Sequence, residues 1–244
     1  MLNSMIASLP MYDLPEIRWA TDQFWAALAE ELKVEIPLTR TGDFKETWRS
    51  PDLLFSQTCG YPFTHEFAGQ LAYVATPHYD ADGCEGPLYR SILFAREAKP
   101  IAAFAKAKAA FNSTDSMSGF LALKLVMRQQ LPQLIETGSH VASLAAVQNG
   151  DADICAIDCV TVALLRKHRP AALEGLVEVA RSPLVPALPF VTRVADRQRL
   201  YDALHAVPQN QRLSDCRQAL LLQSFSVLPQ NAYDVIPDLE RGLS

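Results

Sequence analysis

From residue 108 to residue 182 the chain repeats one pattern: a short apolar run, a turn of small or polar residues, then a longer stretch with helical spacing. The segments 108–112, 134–137, 153–158 and 177–182 read as strands, and 118–130, 140–149 and 159–168 read as helices. Strands that alternate with helices can pair side by side only through crossovers, which implies an α/β fold with a largely parallel sheet covered on both faces. In such sheets ligands collect beyond the carboxyl ends of the strands. The turns that follow those strand ends are therefore the first places to search for function.

The flanking segments carry the same alphabet with less regularity. Residues 4–10 form an apolar run ended by Pro10, and a helix follows in which Ile17, Ala20, Phe24, Leu28 and Leu32 recur at helical spacing. Asp13, Pro15 and Glu16 stand before it as a capping-box-like start. Strands are expected over 34–39, 52–58 and 71–76, a crossover loop over 80–87, and a further strand over 88–97. After Pro183, Pro186 and Pro189 come a strand over 190–193 and helices over 196–206 and 213–224. At 244 residues and 49% hydrophobic content the chain is long enough for two lobes, each with its own core. Crossings near Gly86 and Pro186 divide it into lobe I, residues 1–86 with 188–244, and an inserted lobe II, residues 87–187.

Several function classes are disfavoured by composition. A formal net charge of −5 with no long Lys or Arg run argues against a surface built for nucleic acid. The five cysteines contain no Cys-x-x-Cys pair, so neither a zinc ribbon nor a disulfide framework is signalled, and reduced, mostly buried thiols are expected. Scattered histidines and the spacing of Asp151, Asp153 and Asp158 predict no metal. No phosphate-binding glycine loop, dinucleotide fingerprint, zinc-protease motif or serine-hydrolase elbow occurs, and no cofactor is expected. The segment 1–6 lacks the features of a secretion signal, and no apolar run is long enough to span a bilayer. As written, the chain reads as a soluble cytoplasmic protein; one from which a leader had been removed would be periplasmic.

Three turns could carry chemistry. The first, Asn112-Ser113-Thr114-Asp115-Ser116-Met117-Ser118-Gly119, passes from a strand through a hydroxyl-rich loop into a helix start, so backbone N–H groups and serine hydroxyls converge on one spot. That suits an oxyanion. One of these residues is enough for ordinary N-capping, and their density points beyond it. The second, Gly138-Ser139-His140, repeats the arrangement with an imidazole that can serve an anion or simply a structural bond. In the third, Asp158 closes the apolar run Ile154-Cys155-Ala156-Ile157, where a carboxylate must be paired, hydrogen-bonded or capping the next helix. Arg90 could clamp an anion or form a salt bridge, and Tyr12, Tyr61 and Tyr89 could wall a pocket or pack in a core.

These residues resemble the phosphate, phosphite and phosphonate-binding family of ABC-transporter substrate-binding proteins. The match rests on 112–119 with its Ser116-Met117-Ser118-Gly119 core, on Gly138-Ser139-His140, on Gly150-Asp151-Ala152-Asp153 leading to Asp158, and on Pro186-Ala187-Leu188-Pro189. The resemblance implies a type 2 periplasmic-binding-protein fold, two α/β lobes joined by two hinge crossings with an interlobe cleft. It implies that Ser116, Ser118 and Gly119 hold an oxyanion, that His140 and Asp158 add polar contacts, and that the Tyr61 and Tyr89 regions complete the pocket. A small anionic ligand of the phosphonate, phosphate or phosphate-ester class is the expected partner, with an ABC permease beyond it, and the expected state is a monomer or weak dimer. The alternative is a cytoplasmic enzyme on the same fold, with Asp158 or His140 as acid or base.

Overall fold

The computed structural model describes residues 5–128, 133–195, 197–229 and 231–243. In chain order the strands are β1 (Ile6–Ser8), β2 (Leu53–Gln57), β3 (Ala72–Tyr79), β4 (Leu88–Tyr89), β5 (Ser91–Ala95), β6 (Lys108–Phe111), β7 (Gln133–Glu136), β8 (Ile154–Asp158), β9 (Val177–Arg181), β10 (Val185–Pro186), β11 (Phe190–Thr192) and β12 (Leu222–Ser226). The α-helices are α1 (Arg18–Glu31), α2 (Phe44–Arg49), α3 (Gly60–Thr64), α4 (Ala122–Met127), α5 (His140–Asn149), α6 (Cys159–His168), α7 (Arg197–Ala206), α8 (Ser214–Ala219) and α9 (Val235–Arg241). They sort into two compact units, Met1–Asp80 with Pro186–Gln230, and Ala81–Val185 with Asn231–Ser244. The divisions differ from those expected near Gly86 and Pro186: residues 81–86 and the C-terminal stretch from residue 231 go with the second unit, and residues 186–187 go with the first. That stretch joins the second unit through α9, whose Val235 and Leu239 border one groove with Ile101, Leu125 and Met127.

The first unit is a five-stranded sheet in the order β1-β2-β11-β3-β12. β1 pairs parallel to β2, while β11 runs antiparallel to both β2 and β3, and β12 antiparallel to β3. Every residue of β2 is buried, which explains why Leu53-Leu54-Phe55 shows no alternation. Phe55 and Phe190 stack at 5.1 Å, Phe24 packs on Phe190 at 6.0 Å, and the Trp48 indole donates to Ser56 Oγ at 3.0 Å. Three expectations are corrected here. Residues 34–39 form no strand; they lie extended beside β1 through a single bridge between Ala7 and Leu38, with the Trp25 indole donating to the Ile36 carbonyl. Asp13 caps no helix, because its carboxylate is taken by Arg40 at 2.6 Å, and a single turn, Pro15–Ile17, leads into α1 instead. Residues 213–224 are not one helix: α8 ends at Ala219, the chain turns at Leu221 (φ 57°), and β12 begins at Leu222. A run such as Leu220-Leu221-Leu222 has no periodicity to separate helix from strand.

The second unit has a sheet in the order β7-β6-β8-β5-β9. β6 pairs parallel to both β7 and β8, whereas β5 runs antiparallel to β8 and β9. The sheet is therefore mixed and not largely parallel as expected: β7, β6 and β8 form a parallel trio, and β5, reached from the loop before it, runs against them. Leu93, Ala109, Leu123, Met127, Ile154 and Ala156 pack one face as a continuous core. The trio's carboxyl ends lie at one end of the sheet and each leads into a helix start, β6 through residues 112–116, β7 through residues 137–139 and β8 directly. The helix expected over 118–130 opens with a π-type turn, Met117–Leu121, in which Leu121 N–H reaches back to the Ser116 carbonyl at 3.0 Å. It continues as α4 to Met127; Gln129 and Gln130 lie outside the described residues, as do Ser4 and Asp196 of two other expected elements. α5 ends at Gly150, whose φ of 84° is open to glycine at little cost.

Candidate functional site

After β6 the chain leaves the sheet at Asn112 and turns through Ser113, whose hydroxyl donates to Asp115 Oδ1 at 2.6 Å. Ser116 is the N-cap of the following helix, its Oγ accepting from Gly119 N–H at 3.0 Å. Ser116, Met117, Ser118 and Gly119 are all buried. Gly119 is there for space: a Cβ at this position would lie 1.8 Å from Asn112 Oδ1, far inside contact distance. Asn112 Oδ1 is itself buried without a hydrogen-bond partner. One amide thus leans against the backbone of the helix start and leaves no room for a side chain.

The neighbouring strand β7 delivers a second helix start beside the first. Thr137 donates to the Phe111 carbonyl at 2.9 Å and exchanges a hydrogen bond with Ser143 Oγ at 2.7 Å, which ties the turn after β7 to the end of β6. Ser139 caps α5 by accepting from Ala142 N–H at 3.1 Å. His140, the first residue of α5, extends to Ser118, and its Nε2 lies 3.0 Å from Ser118 Oγ. Burial pushes the imidazole down to about 4, against the opposing pull of the Ala156 backbone, so the ring is neutral at pH 7. A neutral ring bonded to a hydroxyl can present either a proton or a lone pair, and Ser118 can adjust to either.

β8 supplies the third start. Asp158, 2% exposed, accepts from the backbone N–H groups of Val160 at 2.8 Å and Thr161 at 3.0 Å through Oδ1, which makes it the N-cap of α6. The buried carboxylate is therefore stabilised by helix dipole and hydrogen bonds together. Opposite it in the β5 register stands Ser91, and Arg90 just before accepts Cys159 N–H on its carbonyl at 3.1 Å. The Arg90 guanidinium pairs with Glu85 at 2.7 Å, while its Nε is buried without a hydrogen-bond partner. Tyr89 is buried at the end of β4.

Direct contact joins Ser118 to His140, and sheet topology sets Asp158 and Arg90 along the same edge. Tyr12 and Tyr61 belong to the first unit. Tyr12 adopts φ 62° and meets Tyr79 edge-on at 5.3 Å; Tyr61 stacks on His65 at 3.9 Å. The sequence points to the three helix starts, with Asn112 opening the first, but does not single out Asn112 as the amide that crowds Gly119 or Thr137 as the tie between the first two starts. A polar residue at each strand end, Asn112 after β6 and Thr137 after β7, was the available signal. Among the described residues no group of three or more His, Cys, Asp or Glu side chains could hold a metal ion, and no helix is long and apolar enough to cross a membrane. What the edge offers is a cluster of hydroxyl and N–H donors with a neutral imidazole, an arrangement suited to holding an oxyanion by dipoles.

The profile of a family described as periplasmic substrate-binding proteins of phosphonate ABC transporters matches residues 6–233. A search of curated protein sequences finds no match. Among solved structures, PhnD1 from Prochlorococcus marinus in complex with methylphosphonate is 14% identical, with 98% of this chain and 97% of that one covered at a TM-score of 0.79. The binding-protein component of an ABC phosphonate transporter from Pseudomonas aeruginosa is 15% identical, covering 98% and 86% at a TM-score of 0.76. XAC2383 from Xanthomonas citri bound to ATP is 13% identical, covering 98% and 96% at a TM-score of 0.72. At such identities the structural likeness establishes the fold, that of type 2 periplasmic binding proteins.

Proposed function

This chain belongs to the family of periplasmic substrate-binding proteins of phosphonate ABC transporters, and from that premise we propose that its second unit holds the ligand's oxyanion at the helix starts after β6 and β7. Ser116, Ser118, Gly119 and the neighbouring Met117 backbone form the cradle, His140 closes one side of it, and Asp158 adds an acceptor for a ligand that carries a proton or an amine. The observation that carries this reading is the 3.0 Å contact between Ser118 Oγ and His140 Nε2, which unites two helix starts from adjacent parallel strands. Phosphonate, phosphate and phosphate ester share the tetrahedral oxyanion that such donors fit. Two of the fold's solved relatives hold methylphosphonate and ATP, which supports that class. Because the imidazole is neutral and Arg90 is paired with Glu85, attraction comes from fixed dipoles more than from net positive charge. The family consists of binding proteins, so catalysis on this fold has no support from the comparison. Delivery to an ABC permease on the periplasmic side follows from the same premise.

Calorimetry with methylphosphonate and inorganic phosphate tests it. Ser118→Ala should weaken binding by about tenfold or more, the size of one lost hydrogen bond to a charged group. The double variant Ser116→Ala, Ser118→Ala should lose more while remaining folded by circular dichroism. Unchanged affinity in the folded double variant would remove this cradle from the binding site. Alanine at Tyr12, Tyr61, Tyr89 or Arg90 in the same assay decides whether each contributes to affinity.

A further inference from the structure

We propose that Cys84 and Cys159 form a thiol–disulfide site that closes to an intramolecular disulfide when a low-molecular-weight disulfide such as oxidised glutathione is present. The two sulfurs lie 3.5 Å apart although 75 positions separate them in the chain. Cys84 is half-buried in the loop before β4; Cys159 is buried at the first position of α6. Both belong to the second unit. A disulfide needs a sulfur separation of about 2 Å, so side-chain rotation must close the remaining gap, and what decides the matter is whether the two backbones are already adjacent.

They are held adjacent by the residues around them. Gly83 has φ 103°, and a Cβ built on it would stand 2.9 Å from the Cβ of Cys159, so the loop backbone rests directly on the first turn of α6. Cys84 N–H donates to Ala81 at 2.9 Å, and Glu85 and Leu88 exchange backbone bonds of 2.9 and 3.1 Å, which tightens the loop on both sides of the thiol. Asp82 receives both guanidinium arms of Arg181 at 2.9 and 2.8 Å, pinning the loop to β9. On the other side, Cys159 N–H is fixed on the Arg90 carbonyl at 3.1 Å. Cys216, by contrast, spends its S–H on the Ala20 carbonyl at 3.1 Å in the first unit.

The exchange balances as two transfers. Cys84, the more accessible thiol, loses its proton and attacks one sulfur of the oxidant, giving a mixed disulfide and releasing one thiol. Cys159 then loses its proton and attacks the Cys84 sulfur, forming the Cys84–Cys159 bond and releasing the second thiol. The protein is oxidised by two electrons, and the small disulfide is reduced to two thiols. The neighbouring Cys159 sulfur and burial both hold the Cys84 thiol above its ordinary range, so exchange should be slow at neutral pH and quicken as pH rises. The product staples the loop to the helix that Asp158 caps.

Reduced protein incubated with oxidised glutathione at pH 8, then quenched, alkylated and peptide-mapped, tests this. The expected product joins the peptides containing Cys84 and Cys159, disappears on reduction, and raises the melting temperature by roughly 5 °C or more. Cys84→Ser should abolish the cross-link and the shift together while leaving the reduced protein's melting temperature close to the starting value. A lasting glutathione adduct on Cys84, a cross-link to another cysteine, or no loss of thiol at these positions would overturn the proposal. None of these readouts depends on ligand binding.

Discussion

The helices that follow the parallel trio of the second unit and those that follow β1 and β2 in the first begin differently. In the second unit each helix that follows the parallel trio starts on a polar side chain that accepts backbone N–H: Ser116, Ser139 and Asp158. In the first unit α1 and α3 begin without any side-chain cap, and the residues near those starts are aromatic: Tyr12, which meets Tyr79, before α1, and Tyr61, stacked on His65, within α3. The difference lies in the side chains placed at the starts. A parallel strand end feeding a helix start leaves several N–H groups at one edge that must be satisfied, and small hydroxyl residues satisfy them while leaving space. β1 and β2, which lead into α1 and α3, are a parallel pair as well, but their helix starts carry aromatic rings in place of hydroxyl caps. The hydroxyl-capped starts of the second unit are the ones proposed here to hold an oxyanion.

The sharpest way to break that contrast is to fill the space that Gly119 leaves. Gly119→Ala would drive a methyl group to 1.8 Å from Asn112 Oδ1, so either the amide must leave its buried position or the helix start must move. A cost of about 3 kcal/mol is expected from overpacking a buried site, read by denaturant unfolding, together with loss of methylphosphonate binding in calorimetry. Pairing it with Asn112→Ala should recover much of the stability; if it does not, crowding by that amide is not what excludes a side chain.

Acid should separate the units next. His140 is held to about 4 in the folded protein against an ordinary 6.5, so the unfolded chain binds more protons between those values. The stability that neutrality contributes is complete above pH 6.5 and drains away as pH falls toward 4. By pH 5 the loss is on the order of 2 kcal/mol. Urea midpoints measured from pH 7 to 4 should show this slope in the native protein, and His140→Gln should flatten it. An unchanged slope in the variant would place the titration elsewhere.

These consequences show how legible the chain was. The strand and helix pattern from β6 to α6 could be read because each strand has an apolar centre and each turn announces itself with Ser, Gly or Asp; α5 and α6 fall over 140–149 and 159–168 as expected. Residues 34–39 and Leu220-Leu221-Leu222 misled because an extended edge segment and a short leucine run carry no period of their own. Asp13 misled because a cap and an ion pair need the same carboxylate, and only the fold reveals that Arg40 takes it. The site's polar residues were visible; the Ser118 to His140 contact and the Cys84 to Cys159 approach were not, since both join distant positions that only the paired strands bring together.

That shared carboxylate chemistry also gives the finest comparison between the units, two aspartates preceding helices in different roles. Asp158 is buried and gives Oδ1 to two backbone N–H groups at the start of α6, so Asp158→Ala exposes them to an apolar surround and should cost about 1–2 kcal/mol. Asp158→Asn keeps an accepting oxygen and should recover most of that loss. Asp13 instead holds Arg40 at 2.6 Å near the surface, where the arginine also reaches Asp22 at 2.7 Å. With a second carboxylate still available to Arg40, Asp13→Ala should cost less than about 1 kcal/mol and should weaken further in high salt, which Asp158→Ala should not. Equal losses from the two alanine substitutions, measured by urea unfolding in low and high salt, would mean that Asp13 does more than hold an ion pair, and the contrast between capped and uncapped helix starts would lose its energetic basis.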